Sequence, residues 1–177
     1  ARAGGRVVRH QERRRAVRAD QIAALVDRRG GALLGAQERA VDGKGRFNLP
    51  ARFRSGGATV EDEKYVVTIA SAKTLALYPR EEWDASFTAT LLQGGDEQWL
   101  DQIRRLSAQS LDVVPDQQGR VTVPVEILRK VGISERVVLV GMGQYLELWD
   151  KQIYDETNPA QEAPSKEFMA TFMRFRR

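Results

Sequence analysis

The sequence predicts an α+β fold: two tandem β modules, a helical insert between them, and helices at the ends. Three observations predict it. The segment Asp42-Gly43-Lys44-Gly45-Arg46-Phe47-Asn48-Leu49-Pro50 recurs as Asp116-Gln117-Gln118-Gly119-Arg120-Val121-Thr122-Val123-Pro124, with Asp, Gly, Arg and Pro in register. The elements after each copy also recur in the same order, over about forty residues. Between the copies the apolar residues switch to the helical period. A chain of 177 residues has room for one domain or two small ones.

Residues 1–31 form a basic N-terminal extension, helical or disordered. They hold nine arginines against Glu12, Asp20 and Asp27, a charge of +6; the remainder, with 19 basic and 21 acidic side chains, carries −2. The high pI of the chain therefore belongs to the arm, and an argument for nucleic-acid binding must rest on local charge. The stretch from Arg13 to Val26 has helix-forming composition, with Ile22, Leu25 and Val26 at helical spacing, and Gly30-Gly31 ends it. It reads either as a solvated arm or as a basic arm that touches phosphates. No long apolar stretch follows the arginines, so no secretory signal is expected.

Residues 32–80 make the first module. Asp42-x-x-Gly45-Arg46 predicts a tight turn between two strands, with Gly45 at positive φ and Asp42 bonding backbone amides. Ala51-Arg52-Phe53-Arg54 follows as a short helix opened by Pro50 at its first turn. A hairpin of Tyr65-Val66-Val67-Thr68-Ile69 and Leu75-Ala76-Leu77-Tyr78 closes the module. Residues 81–110 are the helical insert. Trp83, Phe87 and Leu91 recur every fourth residue, so an amphipathic helix spans residues 80–93 and stops at Gly94-Gly95. Asp96 caps a second helix with Trp99, Leu100, Ile103 and Leu106 in one stripe. Both faces read as core or subunit contacts.

Residues 111–155 repeat the first module. Asp116 and Gly119 set the turn, Val125 to Lys130 forms the short helix, and Val137-Val138-Leu139-Val140 pairs with Leu146-Glu147-Leu148-Trp149. Each hairpin runs into a polar helix start carrying an aromatic, Trp83 or Tyr154. Residues 156–177 are a linker, bracketed by Pro159 and Pro164, and a C-terminal amphipathic helix. Phe168, Phe172 and Phe175 share a face there with Met169 and Met173, and so apolar a helix is expected to dock.

Several function classes lose their residues. There is no cysteine, which removes disulfides and thiolate chemistry, and the single histidine, His10, leaves little for serine–histidine catalysis or a metal site. Glu81, Glu82 and Asp84 read as a solvated helix face, so no enzyme, cofactor or small-molecule substrate is predicted. No apolar run approaches the ~20 residues that cross a bilayer. Positive charge is concentrated instead at the first motif, where Arg39, Lys44, Arg46, Arg52 and Arg54 outnumber Glu38 and Asp42. An arginine at the start of a ribbon strand suits the major groove, where its planar fork bonds guanine O6 and N7 together. An ion pair of Arg46 with Asp42, and of Arg120 with Asp116, is the competing reading, and spacing leaves both open.

Leu33-Leu34-Gly35, the two Asp-x-x-Gly-Arg motifs with Pro50 and Pro124, and Leu146-Glu147-Leu148-Trp149-Asp150 closely resemble the bacterial MraZ family, over residues 32 to 155. The resemblance implies the AbrB-like swapped-hairpin fold, with two half-modules forming a pseudo-dimer in one chain. It implies a cytoplasmic, nucleoid-associated transcriptional regulator, usually a repressor of the division and cell-wall cluster that holds its own gene. Such chains form homo-oligomeric rings on G-rich direct repeats in promoter DNA. The resemblance carries DNA contact onto Lys44, Arg46 and Arg120. Gln118 departs from the pattern, standing where the first motif has Lys44, so the first module is expected to bind more tightly. Residues 1–31 lie outside the resemblance. A ring-forming scaffold that contacts protein is the alternative; an AbrB-like antitoxin is disfavoured by two fused modules.

Overall fold

The computed structural model describes residues 33–54, 62–158 and 163–174. The basic arm, Phe175 and most of the linker after Pro159 lie outside them. The first module contains β1 (Leu33–Ala40), β2 (Arg46–Asn48), a single 3-10 turn (Ala51–Phe53), β3 (Tyr65–Ser71) and β4 (Thr74–Pro79). The insert is α1 (Arg80–Gln93) and α2 (Glu97–Ala108). The second module contains β5 (Leu111–Val113), β6 (Arg120–Thr122), α3 (Val125–Lys130), β7 (Arg136–Gly143) and β8 (Leu146–Asp150). Then come α4 (Lys151–Thr157) and α5 (Lys166–Arg174).

The modules exchange strands. One antiparallel sheet runs β1-β7-β8-β4-β3-β5, and β2 pairs with β6 in a separate two-stranded ribbon. The first strand of each module thus lies against the third strand of the other: β1 on β7, and β5 on β3. Registers show the pseudo-twofold directly. Phe47 faces Val121, its own counterpart in the repeat. Leu75 faces Leu148 and Leu77 faces Leu146, so matched leucines trade partners across the axis. Neither module completes a sheet alone, which is the swapped-hairpin pseudo-dimer.

Alternation along the strands builds the core. Tyr65, Val67, Leu75, Leu77, Val137, Leu139, Leu146 and Leu148 project to one face and are buried with Phe47, Phe53, Val121 and Leu128. Val66, Ala76 and Val138 project the other way and are buried too. There α1 packs on β3 and β4, and α4 on β7 and β8. Each helix is pinned by the same edge-on aromatic pair: Tyr78–Trp83 at 5.6 Å and Trp149–Tyr154 at 6.1 Å.

Several details differ from the sequence reading, and Glu82, read with Glu81 and Asp84 as a solvated face, is buried. Pro50 and Pro124 stand at the N-cap, one residue before the first helical position, with ψ of 140° and 134°. After Pro50 only one 3-10 turn forms. The insert helices end and begin as read, with Gly94 at φ 63° and the Asp96 carboxylate accepting from the Trp99 amide. Their apolar stripe is less complete than read, because Leu91 and Leu100 are exposed. On α5, Phe168 and Phe172 are 59% and 62% exposed, and no residue of the helix is buried.

Candidate nucleic-acid interface

Each Asp-x-x-Gly-Arg segment folds into the same hydrogen-bonded turn. Asp42 Oδ1 accepts the amides of Lys44 at 2.9 Å and Arg46 at 3.0 Å, and its Oδ2 accepts Arg46 Nε at 2.6 Å. The backbone closes around it: Gly45 N–H donates to Asp42 O, and Asp42 N–H donates to Arg46 O. Asp116 repeats every bond, with the amides of Gln118 and Arg120 at 2.9 Å and Arg120 Nε at 2.8 Å. Gly45 and Gly119 take φ of +77° and +75°, which is why glycine recurs there.

The turns are also tied to each other across the modules. Leu49 N–H donates to Gly119 O at 2.9 Å, and Val123 N–H donates to Gly45 O at 3.0 Å. Between them run the three paired residues of β2 and β6. Antiparallel register sets Arg46 opposite Thr122 and Asn48 opposite Arg120. Since side chains alternate, these four share the outer face, while Phe47 and Val121 point into the core. Lys44 lies exposed at the tip of the first turn.

The intramolecular ion pairs do form. Arg46 meets Asp42 at 2.6 Å through Nε, and Arg120 closes on Asp116 Oδ2 through both Nε and Nη2, the latter at 2.7 Å. Both arginine side chains stay about one-third exposed, at 34% and 35%. The carboxylate thus holds one edge of each guanidinium. The Arg46 amide bond, with the Arg46 side chain and the Lys44 amide, draws the Asp42 carboxyl down to about 2. The Arg120 guanidinium chiefly lowers that of Asp116.

Of the other candidate residues, neither Arg39 nor Arg52 belongs to the ribbon. Arg39 bonds Glu38 O and Gln37 Oε1 within its own strand, and Arg52 reaches Ala36 O on β1 while its guanidinium lies 4.6 Å over the Phe53 ring. Sequence reasoning did not single out Asn48 and Thr122, which the register sets opposite Arg120 and Arg46 on the same face of the ribbon. Their signal was available, since each lies two residues from an arginine or directly opposite one. Among the described residues, no helix is long and apolar enough to cross a membrane.

A family model described as "MraZ protein, putative antitoxin-like" matches residues 32–93 and 106–175. The transcriptional regulator MraZ of Delftia acidovorans is 36% identical over 142 residues, 80% of this chain and 96% of that protein. Its namesake from Burkholderia cenocepacia is 33% identical over 126 residues, covering 71% and 87%. That of Burkholderia vietnamiensis is 33% identical over 120 residues, covering 68% and 83%. The matched segments take in both turns and the whole swapped sheet, and the chain belongs to the MraZ family.

Proposed function

We propose that the chain is a sequence-specific DNA-binding transcriptional regulator whose reading element is the β2–β6 ribbon. It acts as a repressor of the division and cell-wall cluster that includes its own promoter, and binds G-rich direct repeats as a homo-oligomeric ring. The relatives named transcriptional regulators support the class. One observation carries the mechanism: Arg46, Asn48, Arg120 and Thr122 share the ribbon's solvent face. A two-stranded ribbon enters a major groove about 12 Å wide and presents both arginines to base edges.

The ion pairs favour this reading. An exposed pair adds little stability, whereas a bidentate arginine–guanine contact discriminates by about 1–3 kcal/mol. So weak a pair does not keep the guanidinium from a base. Because Asp42 engages Nε, the outer nitrogens of Arg46 meet a base with the pair intact, in a pose already fixed. Lys44 supplies a phosphate contact beside it. Arg46→Ala should weaken binding to the duplex just upstream of the chain's own gene by about 1–3 kcal/mol, and binding to random duplex much less. Fluorescence anisotropy on both duplexes measures this, and equal losses would reduce Arg46 to a phosphate contact.

A ring scaffold that contacts protein rather than DNA is the second reading, favoured by the exposed Phe168 and Phe172 and by the −2 charge outside the arm. Salt separates the two. Phosphate neutralisation gives a log–log slope of about −0.9 per contact, and a protein scaffold shows no DNA affinity to titrate.

A further inference from the structure

The two turns are alike on the outside and different underneath. A Cβ built on Gly45 would meet Leu128 Cδ1 at 3.3 Å; one built on Gly119 would meet Arg54 Nη1 at 3.7 Å. Arg54 and Leu128 are counterparts in the repeat, four residues after Pro50 and Pro124. Each comes from the module opposite the turn it underlies.

Arg54 is held in place. Its Nε donates to both Glu63 oxygens at 3.1 and 3.2 Å, and its Nη2 meets Glu63 Oε1 at 3.1 Å. The Glu63 side chain is 2% exposed and also accepts from Tyr65 Oη at 2.9 Å. A second polar side chain of the first module reaches the same turn: Asn48 Nδ2 donates to Gln118 O at 3.3 Å. Stability does not call for this arrangement. Burying a charged pair is expensive, and apolar replacements of similar volume are often as stable. Leu128 shows that this fold accepts an apolar side chain at the equivalent place.

We propose that Arg54, although carried by the first module, is a positioning residue of the second module's turn: clamped by Glu63, it braces Gly119 and thereby sets the pose of Arg120. The inference rests on the reading of Arg120 as a DNA contact. It makes the second turn, which has Gln118 in place of a lysine, dependent on the first module for its geometry. A planar fork suits the task, because Glu63 holds Nε and Nη2 while Nη1 lies on the side of Gly119.

The test uses the full chain and two variants. R54L/E63Q imitates Leu128 and leaves an uncharged acceptor for Tyr65; R54K keeps the charge beside Glu63 but lacks the planar fork whose Nη1 lies beside Gly119. In the free protein, two-dimensional nitrogen–proton spectra should show the Gly119 amide and Arg120 Nε–H shifting in both variants, with the Gly45 amide and Arg46 Nε–H unmoved. Shifts at both turns, or at neither, overturn the proposal without touching the DNA reading. The second readout uses a labelled duplex carrying the sequence that the wild-type chain enriches from a random pool. R54L/E63Q should lose about tenfold in affinity in the wild-type and Arg46→Ala backgrounds, and under about twofold in the Arg120→Ala background. Equal losses in all three backgrounds overturn the proposal. If neither Arg46→Ala nor Arg120→Ala changes affinity, the DNA reading itself fails; the spectra still decide the brace.

Discussion

Asp42 is the residue on which the first turn closes, and its carboxyl is drawn down to about 2 by the Arg46 and Lys44 amides and the Arg46 guanidinium. A carboxyl lowered in the folded state gives stability that is present above its unfolded value, near 3.8, and lost as pH falls through its folded value. The turn should therefore hold at pH 4 and open between about 3.8 and 2. Amide shifts of Lys44 and Arg46 in an acid titration check this; movement centred near pH 4 would show that the bonds do not form in solution. The same hydrogen bonds rank the arginines. Arg120 gives both Nε and Nη2 to Asp116, leaving less of its fork for a base. Arg120→Ala should then weaken specific binding less than Arg46→Ala, and the reverse order would invert the two modules. Sequence reasoning found Asp42, Gly45, Arg46 and their counterparts because a repeated turn needs those residue types. It left ion pair and DNA contact as rivals, since spacing cannot show that the pairs form with about a third of each arginine side chain still exposed.

At the level of elements, the turns share a conformation and differ in what surrounds them. Both glycines sit at positive φ, where a side chain costs about 1–2 kcal/mol. At Gly45 a Cβ would also stand 2.0 Å from Val123 O, on the backbone that holds the ribbon together. At Gly119 the nearest atom is a side-chain nitrogen at 3.7 Å. Gly119→Ala should lose about 1–2 kcal/mol of stability, and Gly45→Ala clearly more, in urea unfolding. Equal losses would mean that β6 shifts freely to make room. The helices were the most legible elements, because Trp83, Phe87, Trp99 and Ile103 keep the 3.6 period and Gly94 and Asp96 punctuate it. The strand exchange was not legible in periodicity. Alternation decides which face of a strand is buried, and with two copies of one module it is satisfied equally by β1 on β3 or on β7. Family resemblance, not pattern, supplied the swap.

At the scale of the whole molecule, the proposed function asks a short ribbon to select one promoter. Three paired residues read few base pairs, and one mismatch changes binding by only about 1–3 kcal/mol. Linked copies would solve this, because each later contact benefits from effective concentration. The exposed Phe168, Met169, Phe172 and Met173 of α5 are the candidate joint. Sedimentation at micromolar concentration should show an oligomer that shrinks when residues 163–177 are removed; a monomeric full chain would defeat this account. Long-range attraction is a separate matter. The +6 charge of residues 1–31 precedes a remainder of −2, so any long-range attraction of the chain for a polyanion rests chiefly on the arm. Arginines at 13, 14, 15 and 18 would surround any helix formed there, which favours loose phosphate contact over base reading. Removing residues 1–31 should weaken binding to operator and random duplex alike, with base preference unchanged. It should also flatten the salt dependence by about 0.9 for each phosphate that the arm had neutralised. Unchanged affinity and slope would show that the arm takes no part in binding. A changed preference at the operator would instead place base reading in the arm, and the ribbon would lose its standing as the sole reading element.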